Sequence, residues 1–238
     1  MKAFVYGVAL QWKLDIRSKS LLVTCYVVPL LFFLLMGGIF TAIMPETKDT
    51  LIPSMMVMGV SMGAYIGLPP SLVETYGGDI QKVYRANGVP VSLGLLTMCI
   101  SAFLHLLTMC AAILLLAPLL FAAAPPAQLA LFIPALALHI LVSLSIGSVL
   151  GLVVRSQAKL TMAAQLVFLP SILLSGILFP AGLLPRALQA VGKLFPASWG
   201  YAALLPGGFR PGNLWYPIAV FCIAVMVCAM LLKKRKAA

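Results

Sequence analysis

The chain has 238 residues, of which 63% are hydrophobic and 9% charged, with a formal net charge of +11. Soluble domains carry roughly 25% charged residues, so this composition cannot cover a water-soluble globule with polar surface. Intrinsic disorder and collagen-like repeats are excluded on the same grounds, and the sequence is read first for membrane spans.

Residues 1–19 hold an apolar run after Lys2 that is cut short by Lys13, Asp15, Arg17 and Lys19. No A-x-A-like cleavage site follows, so a signal peptide is not predicted. On a helical projection Phe4, Val5, Val8, Trp12 and Ile16 share one side, while Lys2, Lys13 and Arg17 share the other. Asp15 and Lys19 border the apolar side. The pattern predicts an amphipathic helix lying among lipid headgroups, with Trp12 at the interface.

Acidic and basic residues are absent from 20–45, 50–73, 86–154, 160–185 and 211–232. A span needs about 20 apolar residues. Four of these gaps fit one span each. The gap 86–154 fits two, with Pro118 and Pro125-Pro126 marking the turn. The runs are continuous rather than alternating, which favours helices over strands. The predicted fold is an all-α integral membrane protein with six spans, near 20–44, 53–73, 91–117, 129–153, 160–180 and 213–232.

With six spans both termini share a side, and that side carries twelve of the sixteen Lys and Arg residues. Lys48, Arg186, Lys193 and Arg210 are on the other. The positive-inside rule places both termini in the cytoplasm, in a cell (plasma) membrane. The same placement, in short groups beside apolar runs, argues against nucleic-acid binding.

Two connections stand out. In 74–90, Gly77-Gly78 is flexible, Asp79 can cap a short helix, and Gly88-Val89-Pro90 is a stop signal. A short cytoplasmic helix over 79–88 and an ordinary solvated loop are both compatible with this stretch. The second connection, 181–212, holds Pro185, Pro196, Pro206 and Pro211 among apolar residues. Lipid-exposed irregular backbone is not tolerated, so one or two short re-entrant helices are predicted, with Trp199 and Tyr201 at headgroup level. Small residues recur at spacing four in Gly59, Gly63 and Gly67, and again in Gly147 and Gly151. They allow close helix approach, within the chain or between chains.

Chemistry-bearing groups are sparse. The five cysteines lie inside apolar runs without a CxxC pair and are read as buried packing thiols. His105 and His139 are the two histidines; Ser143 shares a helix face with His139, but no protease motif surrounds them. No metal-ligand cluster is apparent. No GxxxxGK[ST] phosphate loop occurs, so ATP and Mg would have to be bound by another polypeptide.

The element order and two motifs resemble the membrane subunit of ABC-type exporters of the drug and polysaccharide export class, the type-2 permeases. The sharper motif is Leu174-Ser175-Gly176-Ile177-Leu178-Phe179-Pro180, followed by Leu184-Pro185, Leu188-Gln189, Phe195-Pro196 and Tyr201. The other is Glu74, Gly78, Lys82, Arg85, Gly88, Val89 and Pro90, although Tyr76-Gly77-Gly78-Asp79 replaces the family's more charged approach. The resemblance implies a permease subunit with no catalytic residue of its own. The 79–88 helix would dock on an ABC ATPase subunit through Glu74, Asp79, Lys82 and Arg85. A second permease copy, identical or not, would complete the pathway, with membrane lipid around it and spans two and five lining it.

Pathway residues on those spans are Met55, Met58, Met62, Tyr65, Phe168, Ser171 and Ser175. None is charged, and methionines repack around varied apolar shapes, so a hydrophobic or amphipathic substrate (drug, lipid or peptide) is expected. Met and aromatic residues at helical spacing also serve as plain core. A secondary carrier without an ATPase, or a lipid-acting membrane enzyme, is the alternative.

Overall fold

A computed structural model describes residues 2–44, 48–78, 84 and 86–237; of residues 2, 3 and 235–237 the backbone alone is described. All regular structure among the described residues is helical. Helix α1 covers Lys2–Arg17. Six longer helices follow the predicted spans: α2 (Lys19–Ile43), α3 (Lys48–Gly77), α4 (Val91–Phe121), α5 (Leu129–Val153), α6 (Gln157–Leu174) and, last in the chain, α9 (Trp215–Ala237). Each is long and apolar enough to cross a membrane. Between α6 and α9 lie two short helices, α7 (Arg186–Gly192) and α8 (Pro196–Leu204).

Local chemistry sets the boundaries. Ser18 Oγ accepts from the Leu21 amide at the start of α2, and Ser156 Oγ accepts from the Lys159 amide at the start of α6, both at 3.4 Å. Helix α4 runs four residues past the predicted end, because Pro118 in its last turn removes a donor without stopping the helix. Ala122, at φ 51, then ends it. The fifth span stops at Leu174 rather than 180. Gly176 adopts φ +83, which glycine takes without steric cost, and the chain turns there. The predicted stop before α4 is present, with Gly88 at φ +65.

Helix α3 is central. Its glycines meet side chains of α2 and α4: a Cβ on Gly59 would crowd Met109 and Pro29, and one on Gly63 would strike Leu106. A Cβ on Gly67 would sit 3.1 Å from Cys25 Sγ. From the other side, Gly147 of α5 lies against the Ala64 carbonyl, and Gly151 against Leu72 and Pro69. Both small-residue stripes are therefore used within this chain. Where Gly67 meets Cys25, α2 and α3 each contain a π-helical turn, at Val23–Val27 and Gly63–Gly67.

Helix α1 lies on α4, with Gly7 beside Thr97. The side turned to the protein carries Gly7, Val8, Gln11, Trp12 and Asp15, and Asp15 is buried rather than at the border of an apolar face. Phe4, Val5, Leu10 and Ile16 point away. Of the cysteines, Cys25, Cys110 and Cys228 are buried, Cys99 is half-buried, and Cys222 of α9 is exposed rather than packed.

A cavity at the end of the bundle opposite α1

Helices α7 and α8 fold back over the bundle and create a cavity of about 700 Å³. Small residues allow the fold-back. Gly192 lies against the Leu174 carbonyl, and Gly200 lies against the His139 imidazole, each where a Cβ would collide. Hydrogen bonds fasten the cap: Ser198 Oγ donates to the Gly192 carbonyl at 2.6 Å, and Trp199 Nε1 to the Lys193 carbonyl at 2.7 Å. Tyr216 Oη of α9 donates to the Leu194 carbonyl, and its ring stacks on Trp199 with centroids 4.9 Å apart.

The wall is mostly apolar, with a few polar side chains. Phe40 and Met44 come from the end of α2, and Thr50 and Ser54 from the start of α3. The motif Leu174–Pro180 lines one side, and Lys193, Ser198 and Tyr201 come from the cap. Lys193 is the one charged side chain among the described residues of this lining. A volume in the range of a drug-sized ligand, with sparse polar groups on an apolar wall, suits an amphipathic molecule.

Of the residues singled out in the sequence as a pathway, Ser175 lines this cavity. Met55, Met58, Tyr65 and Ser171 are buried inside the chain's own core, at no more than 4% exposure, while Met62 and Phe168 are half-buried. The structure does not bring these six to the cavity. Sequence reasoning missed Thr50, Ser54 and Ser198. Thr50 and Ser54, four apart at the head of an apolar span, were a readable signal; Ser198 was not, since its place depends on the cap folding back.

At the other end of the bundle, Glu74 is exposed on the last turn of α3. Tyr76 Oη ties that turn to α4, donating to the Val91 carbonyl at 2.6 Å and accepting from the Leu95 amide at 2.8 Å. Asp79, Lys82 and Arg85, and most of the 79–88 helix, lie outside the described residues. His139 and Ser143 are both buried, and no hydrogen bond joins them. Among the described residues no group of three His, Cys, Asp or Glu is placed to hold a metal.

The family model described as ABC-2 type transporter matches residues 3–209. None of the curated proteins compared with the chain matches it.

Proposed function

Because the chain belongs to the ABC-2 type transporter family and is a multi-pass membrane permease, we propose that it is the transmembrane subunit of an ATP-driven exporter. It moves a hydrophobic or amphipathic substrate (drug, lipid or peptide) out of the cytoplasm or inner leaflet. The observation that carries this reading is the 700 Å³ cavity, walled by Leu174–Pro180, the start of α3 and the cap.

In this reading both termini are cytoplasmic and the cavity faces outward, in keeping with the uneven distribution of Lys and Arg. A separate ABC ATPase subunit binds ATP and Mg and hydrolyses the nucleotide. It engages the permease near Glu74, Asp79, Lys82 and Arg85. A second permease copy completes the pathway. ATP must favour one global state over the other, or transport has no free-energy source.

The test is affinity purification in mild detergent, followed by reconstitution. An ATP-binding subunit is expected to copurify, and amphipathic compounds to stimulate hydrolysis. Ser175→Trp, which pushes an indole into the cavity beside the Leu174–Pro180 wall, is expected to weaken that stimulation strongly and leave basal hydrolysis intact. Failure to recover any ATPase, or stimulation unchanged in Ser175→Trp, would sink the proposal.

A further inference from the structure

Asp15 is the one buried carboxylate among the described residues, 6% exposed, and it sits where α1, α2 and α4 meet. Its Oδ2 accepts a hydrogen bond from Ser101 Oγ of α4, and its Oδ1 accepts from Gln11 Nε2 at 2.8 Å. His105 Nε2 lies 3.9 Å from the same Oδ2. The imidazole is held on two further sides. Trp12 of α1 stacks on it at 3.8 Å, nearly parallel, and Tyr26 Oη of α2 bonds its Nδ1 at 2.7 Å.

The cluster offers two metal-ligand types, a carboxylate and an imidazole, with no third such group among the described residues, so it is not a metal centre. Ser101 donates to the carboxylate rather than to the imidazole, so it is not arranged as a nucleophile either.

A tie of this kind has a mechanical consequence. Two apolar helix faces can slide or roll on one another at little cost. A carboxylate bonded across the contact cannot, because any slip breaks its bond to Ser101 of α4 and leaves a buried polar group unpaired. Gln11, on α1 itself, orients the carboxylate, and the bond from Ser101 of α4 specifies one register of α1 on α4.

We infer that Asp15 is a positioning residue that yokes α1 to α4, so that the two helices move as one body during transport. A push on α1 from the cytoplasmic side then reaches α4 directly, in parallel with any push through the 74–90 connection. The transport step of this inference rests on the ATP-driven reading above; the yoke itself does not.

Two measurements test it. In nanodiscs holding the chain alone, Asp15→Asn is expected to speed amide hydrogen exchange across residues 4–17 by about tenfold, with α4 unchanged. Unchanged exchange in α1 would overturn the yoke whether or not an ATPase partner exists.

In the assembled transporter, Asp15→Cys and Ser101→Cys are joined by a disulfide in a chain whose five native cysteines are replaced. Substrate moved per ATP is expected to be about tenfold higher with the disulfide than after reduction, because the reduced form lacks the bond between Asp15 and Ser101. Transport that returns only on reduction would show that α1 and α4 must separate, and would refute the inference. If the double variant does not fold, Asp15→Glu and Asp15→Asn are compared instead. Glu is expected to keep transport per ATP, and Asn to lose about tenfold while hydrolysis continues. Equal ratios would refute the inference. Lack of any ATPase partner strikes the proposed function alone.

Discussion

Helices α3 and α9 are both predicted spans, yet they occupy opposite places in the molecule. In α3, 89% of the best 18-residue stretch is buried within the chain; in α9 the figure is 11%. The order of hydropathy is the reverse, with means of 1.6 for α3 and 2.4 for α9. The less apolar helix is the central one. In a bilayer, lipid tails are as apolar as leucine, so burial is not driven by greasiness. Close backbone approach drives it, and α3 supplies that through Gly59, Gly63, Gly67, Ser54 and Ser61. Helix α9 presents Ile218, Ile223, Val225, Met226 and Met230 outward instead.

The sharpest way to break this contrast is Gly147→Leu. The side chain would enter the Ala64 carbonyl of α3. The expected loss is about 3 kcal/mol, the upper end for overpacking, read as a fall in the unfolding midpoint in detergent. A variant as stable as the parent would show that α3 and α5 are not packed as described.

Gly200→Ala applies the same logic to the cap, where the added methyl meets His139. About 2 kcal/mol is expected. Combining it with His139→Ala should restore most of that loss, and a strictly additive double variant would deny the contact.

Tyr65→Phe tests the centre of α3 in the opposite direction. Tyr65 is fully buried, and its hydroxyl approaches Ser143 without a well-formed hydrogen bond among the described residues. Removing that oxygen is expected to stabilise the protein by about 1 kcal/mol. A loss of similar size would reveal a bond made by Tyr65 in the assembled transporter.

The smallest effect is expected for Ile223→Ala on the open face of α9. A change within about 0.5 kcal/mol fits a side chain that trades contact with lipid for contact with lipid. A larger loss would place a partner helix on that face.

Some features were legible because they depend on one segment at a time. The gaps in charge located the spans, and Gly88 and Gly176 marked turns where the backbone takes positive φ. The motif Leu174–Pro180 drew attention to Ser175, which does line the cavity. Met55, Met58 and Tyr65 show the limit. Helical spacing puts them together on α3 but does not say what α3 faces, and it faces the chain's own α2, α4 and α5. Asp15 shows it more strongly. Its neighbours on α1 suggested a helix border, whereas its partners Ser101 and His105 are about ninety residues away.

The sequence alone determined that the chain is helical and carries six segments long and apolar enough to cross a membrane. A bilayer offers the backbone no hydrogen-bond partner, so each apolar stretch must satisfy its own amide groups, and that demand is met segment by segment. Which helix lies at the centre, where the cap folds to enclose a cavity, and which carboxylate leaves solvent were decided only in three dimensions. Those outcomes depend on side chains far apart in the chain fitting one another, and a glycine or an aspartate does not carry the identity of its neighbour in its own position.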